Sequence, residues 1–415
     1  MASRLRILMI SDVYFPRING VSTSIQTFRG DLMALGHRVL LVAPGYPGGT
    51  TRDDGEAVIR IHSHRVPRDP EDRMFSLRRL LALTPELRRE RFDLVHVQTP
   101  FVAHYGGVAL ARRLGLPVVA SYHTLFEQYL QHYVPLLPAS LLRALARRLT
   151  VSQCRQVDTV ISPSRAMAEA LTRYGVTTPL EVLPTGLPPD RFVPGERERF
   201  RRRYGIAGDR PVALFVGRVA HEKNIDFLLR MLEPLRAAVP EVLLVIAGDG
   251  PAAGHLRARV QERGLTAQVM FVGYLERGSA LRDCYRAADV FVFASRTETQ
   301  GLVLLEAMAQ GTPVVSTAEM GTIDVLAGAT GATVVPEHPG EFAAAVVGLL
   351  RESAQRARLA ALATEDAAAW SSRALAERLV SVYLGVISRH QGAHESPARK
   401  DLALPVAVAP QEGAR

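Results

Sequence analysis

The chain has 415 residues, of which 47% are hydrophobic and 22% are charged. This length exceeds what one hydrophobic core organises, so we expect two or three globular domains. No apolar stretch approaches the roughly 20 residues of a membrane-spanning helix, and the first apolar run is too short for a signal peptide. Cys154 and Cys284 make neither a disulfide framework nor a metal cluster. Disordered, fibrous and membrane-embedded classes are excluded, and we expect a cytoplasmic protein.

Positive charge is concentrated in the first half of the chain. The formal net charge is +9, and residues 1–190 hold 23 arginines against 16 acidic residues, a net of +7. Only two of the 50 basic residues are lysines, Lys223 and Lys400. A basic first half fits an anionic partner, either nucleic acid or a phospholipid headgroup layer, and composition does not choose between them.

Short apolar runs alternate with helical periodicity along the first half. The predicted strands and helices, in chain order, are strand 5–11, helix 22–35, strand 38–43, strand 93–97, strand 117–121, strand 159–162 and helix 165–174. Continuously apolar strands that alternate with helices indicate a buried parallel sheet covered by helices.

The same alternation restarts after an irregular, proline-rich break at residues 184–195. The second set comprises strands 212–216, 242–247, 269–272, 290–294 and 313–316, with helices 224–237, 253–263, 280–287 and 301–310. We therefore predict an α/β protein with two doubly wound domains, over residues 1–188 and 189–370. Residues 371–390 are predicted to form a terminal helix that crosses back to the first domain, and residues 391–415 a disordered tail.

Ligands of open α/β sheets bind beyond the carboxyl ends of the strands, so the candidate chemistry lies in the loops that follow strands. After the fourth strand of the second domain, Gly301 opens a helix, and the N–H groups of Gly301, Leu302 and Val303 form an anion site. Glu298 and Glu306 flank this site, where a carboxylate suits sugar hydroxyls better than phosphate. The structural alternatives are a helix cap for Glu298 and a buried, paired acid for Glu306.

Two further loops carry candidate residues. After the first strand of the second domain come Gly217, Arg218 and Lys223, and paired cations at a helix start suit a leaving diphosphate. Lysine in an arginine-rich chain suggests a slot for a compact ammonium, with chance as the alternative. In the first domain, Gly20 allows close approach of a phosphate or sugar, and His123 follows a strand. A tight turn and a core histidine are the respective alternatives.

These motifs together resemble the retaining glycosyltransferases of family four, which have the GT-B fold of two Rossmann-like domains facing a central cleft. The most specific element is the Glu-x7-Glu spacing of Glu298 and Glu306, and the resemblance covers residues 5–385. It implies a nucleotide-sugar donor held mainly by the second domain, with Glu306 on the ribose and with Arg218 and Lys223 on the diphosphate. We expect no cofactor, and no metal, because the two cations serve the diphosphate.

The resemblance also implies contacts with the rest of the donor. Glu298 binds the sugar, which His123 reaches from the first domain. The base lies against the backbone around Tyr274 and Leu275, and Gly20 lies near the phosphates and the acceptor. The family often has a second glycine in the first loop, where this chain has an asparagine.

Within the family, the segments 123–129 and 297–302 look most like enzymes that glycosylate diacylglycerol. Glu127 and Tyr129 in the first segment are the acceptor-binding candidates. The basic first domain agrees, because each arginine near an anionic bilayer contributes about 1 kcal/mol. The segment 136–155 reads as a basic amphipathic helix that lies in the membrane interface, or equally as an ordinary core-packed helix. We therefore expect peripheral association with the inner face of the plasma membrane.

The leading functional hypothesis is transfer of a hexose from UDP-glucose or a similar donor to a lipid such as diacylglycerol. The resemblance implies retention of the anomeric configuration. We expect no covalent intermediate, because Glu298 suits hydroxyl binding better than nucleophilic attack, and Glu127, the second candidate nucleophile, lies beyond His123 and suits the acceptor. The alternative is a GDP-mannose-dependent alpha-mannosyltransferase acting on a polyprenol or phosphoinositide acceptor. A non-catalytic, two-domain nucleotide- or sugar-binding regulator is the third hypothesis. No helix-turn-helix is visible, so we expect no nucleic-acid partner.

Overall fold

The computed structural model describes residues 4–47, 52–53, 57–66, 69–123, 139–276 and 278–395. Its strands, numbered in chain order, are β1 Arg6–Ile10, β2 Arg38–Pro44, β3 Arg52–Asp53, β4 Val58–Ile61, β5 Ser63–Val66, β6 Asp69–Phe75, β7 Leu94–Val97, β8 Val118–Ser121, β9 Thr159–Ser162, β10 Leu180–Val182, β11 Val212–Val216, β12 Leu243–Ala247, β13 Val269–Gly273, β14 Val290–Phe293, β15 Val314–Ser316 and β16 Ala332–Val334.

The helices are numbered in the same way. They are α1 Gly20–Ala34, α2 Leu77–Ala82, α3 Thr84–Arg89, α4 Val102–Leu114, α5 Ala139–Cys154, α6 Arg165–Arg173, α7 Arg197–Arg203, α8 Ile225–Ala238, α9 Ala253–Glu262, α10 Ser279–Ala287, α11 Leu302–Ala309, α12 Thr322–Leu326, α13 Pro339–Arg351, α14 Ser353–Ala368 and α15 Ser372–Glu395.

The first sheet has the strand order β10-β9-β8-β7-β1-β2-β4-β3 and is parallel except for β3. Its central strands are fully buried on both faces, as their continuous apolar sequence predicts. Because β7 and β2 lie on opposite sides of β1, the chain winds outward in two directions. The switch point of this sheet therefore lies between β1 and β7. The sequence pattern did not predict β3, β4 or β10 of this sheet, nor β5 and β6, which form a separate two-stranded antiparallel sheet.

The second sheet has the strand order β13-β12-β11-β14-β15-β16, and all of its pairs are parallel. One hydrophobic core joins this sheet to its helices, including α8 and α13, which also pack against each other. The chain again winds outward in two directions, here from β11, which lies between β12 and β14. The switch point of the second sheet therefore lies between β11 and β14.

The chain passes between the two cores at two neighbouring segments. Leu187 forms a parallel bridge with Ser371, and its N–H donates to Trp370 O at 2.8 Å. Helix α15 then packs Tyr383 and its apolar neighbours into the core of the first domain. The helix ends at Glu395, five residues beyond the predicted end, so the predicted tail was wrong over residues 391–395. A single glycine in this stretch is tolerated by a helix.

The remainder of the predicted tail lies outside the described residues. Within the described ranges, no helix combines the length and the apolar character that crossing a bilayer requires.

Candidate active site

The two strands that flank the switch point of the second sheet each carry a predicted site residue in the loop that follows. The loop after β11 contains a short 3-10 helix, His221–Lys223, and the loop after β14 contains Glu298. The strand order therefore brings together two loops that are 75 positions apart in sequence. This is the location at which open α/β sheets bind their ligands.

Lys223 and Glu298 form an ion pair between these loops. Their side chains are only 16% and 17% exposed, so solvent screens the pair less than it would a surface pair. Asn224 holds the first loop in place by donating from Nδ2 to Ala294 O at 3.1 Å. Its backbone is left-handed, with φ 54°, which turns the chain directly into α8. The pair thus combines an ammonium cation with a carboxylate, which accepts hydrogen bonds.

The Glu298 loop is also fixed from its other side. Glu298 O accepts from Gly321 N at 2.8 Å. A Cβ on Gly321 would lie 2.2 Å from Thr299 O, so the close approach of these segments requires glycine. Arg296 pairs with Glu337, and this ion pair lowers the pKa of the Glu337 carboxyl. The loop is consequently held by contacts on both flanks of Glu298.

The helix α11 begins directly after this loop. Gly301, at φ 92°, turns the chain into the helix, and the first-turn N–H groups of Leu302 and Val303 have no partner within the helix. Glu306 lies further along α11 and is 4% exposed. The Tyr285 hydroxyl donates to Glu306 Oε2 at 2.9 Å and so orients the carboxylate. Sequence reasoning missed Tyr285, since nothing local to α10 indicates this contact.

The loops after β11, β12 and β13 pack together through their backbones. A Cβ on Gly248 would lie 1.9 Å from Gly217 O, and Gly248 N donates to Gly273 O at 2.8 Å. The surface presented here is therefore largely main chain, and it includes the segment around Tyr274 that the resemblance assigns to the base. Tyr274 is exposed on it, whereas the Leu275 side chain is buried in the core.

Two more predicted donor residues lie in a loop and at a helix start. Arg218 is exposed in the β11 loop, five residues before Lys223. Gly20 is the first residue of α1, and the preceding Asn19 caps that helix by accepting from Ser22 N at 2.8 Å. This cap gives a physical reason for asparagine where the family often has glycine.

His123 follows β8 at the carboxyl edge of the first sheet. Its Nε2 lies 3.4 Å from Oε1 of Gln98, which follows β7. Burial lowers the pKa of His123 to about 4, so the imidazole is neutral at pH 7. A neutral ring can donate to or accept from a sugar hydroxyl without adding charge. Gln98 is a second residue that sequence reasoning missed.

Asp12 follows β1, beside the switch point of the first sheet. Its carboxylate accepts from Thr99 Oγ1 at 2.8 Å and from Ala103 N at 3.0 Å, and thereby caps α4. Burial raises the pKa of Asp12 to about 6. The contacts give Asp12 a structural role in positioning α4. The predicted acceptor residues Glu127 and Tyr129 lie outside the described residues.

The predicted amphipathic segment contains α5, which has one face packed on the core and an exposed row of apolar side chains. Leu142 and Ala146 are buried against the first domain. Another face of α5 carries Leu141, Leu145 and Leu149, which lie one turn apart and are 55%, 54% and 38% exposed. Exposed leucines at this spacing form a continuous apolar stripe. The part of the segment before Ala139 lies outside the described residues.

The carboxyl edges of the two sheets face each other. Arg165, just after β9, donates its N–H to the Asp324 carboxylate of the second domain. Met320 packs against the core of the first domain. The Glu298 loop, which bonds Gly321, therefore lies beside the interdomain contact. Among the described residues, no group of three His, Cys, Asp or Glu side chains converges as a metal site would require.

Two Rossmann-like domains whose carboxyl edges face each other are the architecture of GT-B glycosyltransferases. A family model described as Glycosyltransferase Family 4 matches residues 18–191, and one described as Glycosyl transferases group 1 matches residues 196–366. The chain belongs to this glycosyltransferase family. It is therefore an enzyme that uses a nucleotide-sugar donor, as the sequence predicted, rather than a non-catalytic binding protein.

Several characterised relatives and solved structures are similar to the chain. An alpha-monoglucosyldiacylglycerol synthase of Streptococcus pneumoniae is 32% identical, over 75% of this chain and 71% of its own. A GDP-mannose-dependent alpha-mannosyltransferase of Mycobacterium tuberculosis is 34% identical, over 78% of this chain and 81% of its own. The sucrose-phosphate synthase structure from Thermosynechococcus elongatus covers 93% of this chain and 100% of its own at 21% identity and a TM-score of 0.73. This last likeness confirms the predicted fold.

Proposed function

We propose that the protein transfers a hexose, with retention of configuration, from a nucleoside-diphosphate sugar to a lipid acceptor at an anionic membrane surface. The observation that carries the donor half is the Lys223–Glu298 ion pair at the switch point of the second sheet. A nucleoside-diphosphate sugar carries a diphosphate directly beside a sugar. The diphosphate requires a cation, here Lys223, and the sugar hydroxyls require a hydrogen-bond acceptor, here Glu298. The acceptor half is supported by the diacylglycerol-glycosylating relatives.

The proposed donor roles rest on the family resemblance and are supported by the charges and contacts around this pair. Lys223 and Arg218 bind the diphosphate together with the first-turn N–H groups of α11. Glu298 accepts hydrogen bonds from the sugar hydroxyls. Glu306, oriented by Tyr285, accepts from the ribose. The base lies on the glycine-rich backbone that follows β12 and β13.

The proposed mechanism has no covalent enzyme intermediate. A double displacement needs a carboxylate able to attack the anomeric carbon, and the ion pair with Lys223 instead holds Glu298 beside the phosphate-binding cation. The bond between the sugar and the diphosphate breaks, and the acceptor hydroxyl attacks from the same face. The leaving diphosphate takes the acceptor proton. His123, neutral at pH 7, hydrogen-bonds the sugar and does not serve as a cation.

We also propose that α5 docks the protein on the membrane surface. The exposed leucine stripe is flanked by Arg143 and Arg148, which are also exposed, and residues 1–190 carry a net charge of +7. Apolar side chains bordered by arginines suit insertion into an anionic interface. Such docking would bring a lipid acceptor to the domain that holds His123.

A transfer assay tests the reaction. Radiolabelled UDP-glucose and GDP-mannose are each incubated with diacylglycerol, polyprenyl phosphate or phosphatidylinositol in mixed vesicles, and labelled lipid is extracted. We expect product from UDP-glucose and diacylglycerol. Product only from GDP-mannose would establish the second candidate, which is favoured by mannosyltransferase relatives that match 91–99% of this chain. No labelled lipid from any pair would refute a lipid acceptor.

Vesicle flotation tests the docking surface with a matched pair of variants. Leu149 in α5 and Leu384 in α15 are 38% and 39% exposed. We expect Leu149→Glu to weaken binding to anionic vesicles at least fivefold, because a carboxylate is repelled by the headgroups, and Leu384→Glu to leave it unchanged. Binding should also weaken with added salt. Equal binding to neutral and anionic vesicles, or equal effects of both variants, would refute docking through α5.

A further inference from the structure

Gln300 lies between Glu298 and α11, and its side-chain amide pairs with the segment that links the domains. Its Oε1 accepts from Thr185 N at 2.8 Å, and its Nε2 donates to Thr185 O at 2.7 Å. Gln300 and Thr185 are 5% and 3% exposed. A buried amide with two backbone bonds has one favoured orientation, because rotation would leave buried polar atoms unpaired. The donor loop is thus fixed to the interdomain linker.

Thr185 also contacts the first domain. Its hydroxyl donates to Ser24 Oγ at 2.7 Å, and Ser24 is buried in α1. Gly186, the next residue of the linker, packs closely against α15, since a Cβ at this position would lie 2.4 Å from Ser372 Cα. This close packing restricts movement of the linker. Gln300, Thr185 and Ser24 therefore form a buried relay from the donor loop to the first domain.

We propose that Gln300 is a positioning residue that makes the geometry of Glu298 depend on the orientation of the two domains. Glu298 reaches its working position when Thr185 pairs with Gln300 and with Ser24 together. The other flank of the loop strengthens this coupling, because Gly321 bonds Glu298 O and lies close to the Asp324 contact with the first domain. The inference deepens the proposed function, and only its turnover readout rests on that function.

The chain offers a matched control at the opposite end of α11. Gln310 is 4% exposed, and its amide also pairs with linker backbone, accepting from Gly195 N at 2.8 Å and donating to Val193 O at 3.0 Å. These partners precede α7, which packs on α10 of the second domain. Its Nε2 also donates to Arg191 O at 2.5 Å. Gln310→Leu therefore removes at least as many buried backbone hydrogen bonds as Gln300→Leu, at a site within the second domain.

The first test measures the interdomain distance and needs no substrate. Both native cysteines are buried, so spin labels can be attached at Glu169→Cys in α6 and Glu262→Cys in α9, whose side chains are 71% and 61% exposed. We expect Gln300→Leu to broaden the distance distribution from double electron–electron resonance, and Gln310→Leu to leave it unchanged. Identical distributions for the parent and both variants would overturn the proposal.

Thr185 provides a second pair of variants for the same measurement. Thr185→Val removes the hydroxyl that contacts Ser24 and leaves the backbone that pairs with Gln300. Thr185→Ser retains the hydroxyl. We expect a broadened distribution for the valine variant and the parent distribution for the serine variant. The same result for both would show that the hydroxyl does not transmit the coupling.

The turnover test separates positioning from donor binding. We expect Gln300→Leu to lower kcat roughly 10–100-fold, the scale of a misplaced catalytic group. The Kd for UDP or GDP, whichever binds the parent, should stay within threefold, since the proposed base and ribose contacts, around Tyr274 and at Glu306, do not involve Gln300. A parallel loss of nucleotide affinity, or an equal fall in kcat for Gln310→Leu, would refute the positioning role. If the parent transfers no sugar to lipid, the proposed acceptor fails and the distance measurement alone decides.

Discussion

Replacing Lys223 tests the centre of the candidate site. We expect Lys223→Ala to reduce kcat roughly 10²–10³-fold, which corresponds to about 2.7–4 kcal/mol of lost stabilisation of the leaving diphosphate. The variant also removes the ion partner of Glu298. At 16% and 17% exposure, the pair lies between surface pairs and fully buried ones. We therefore expect a fall of about 1–3 kcal/mol in the free energy of unfolding.

A charge swap distinguishes the catalytic effect from the structural one. Lys223→Glu combined with Glu298→Lys restores an ion pair between the same loops, so unfolding in urea should return towards the parent value. Turnover should stay low, because the cation has left the β11 loop. Arg263→Ala, which breaks a partly exposed pair with Glu233, serves as the control for generic charge loss. A Lys223→Ala turnover within threefold of the parent would refute the assigned role.

Three further predictions concern stability. Tyr383→Phe should cost about 1–2 kcal/mol in urea unfolding, because its hydroxyl lies 2.6 Å from His96 Nδ1; an unchanged midpoint would contradict this. Gly248→Ala should cost at least about 2 kcal/mol, because φ is 136° and the new Cβ meets a carbonyl at 1.9 Å; a parent-like melting temperature would refute the close packing. Stability should fall by about 3 kcal/mol from pH 7.5 to 5.5. Desolvation lowers the pKa of three histidines, so they stay neutral in the folded protein and bind protons below about pH 6.5 when it unfolds. Asp12, with its pKa raised to about 6, partly opposes them. They are His96, with a pKa lowered to about 3, and His104 and His123, both lowered to about 4. Constant stability over this range would contradict the assignment.

The sequence by itself determined the parts of the protein that depend on local patterning. Continuously apolar strands indicated two buried parallel sheets, and the prolines after residue 183 marked the link between them. The Glu-x7-Glu spacing placed one carboxylate before α11 and the other inside it. These features follow from residues within about ten positions of each other, where periodicity and turn chemistry are informative.

The tertiary structure decided which distant residues meet. Lys223 and Glu298 form a pair because β11 and β14 are neighbours in the sheet, and no local pattern specifies that strand order. Tyr285 reaches Glu306 for a similar reason, through packing in the second core.

Gln300 shows most clearly that local sequence does not specify long-range contacts. In the sequence it is one polar residue in a loop, and its partner Thr185 lies 115 positions away. Both residues become buried only because the linker crosses the donor loop in the folded protein. Their amide and backbone groups then hydrogen-bond each other. Residue types therefore indicated the candidate groups of the site, whereas the contact between Gln300 and Thr185 required the fold.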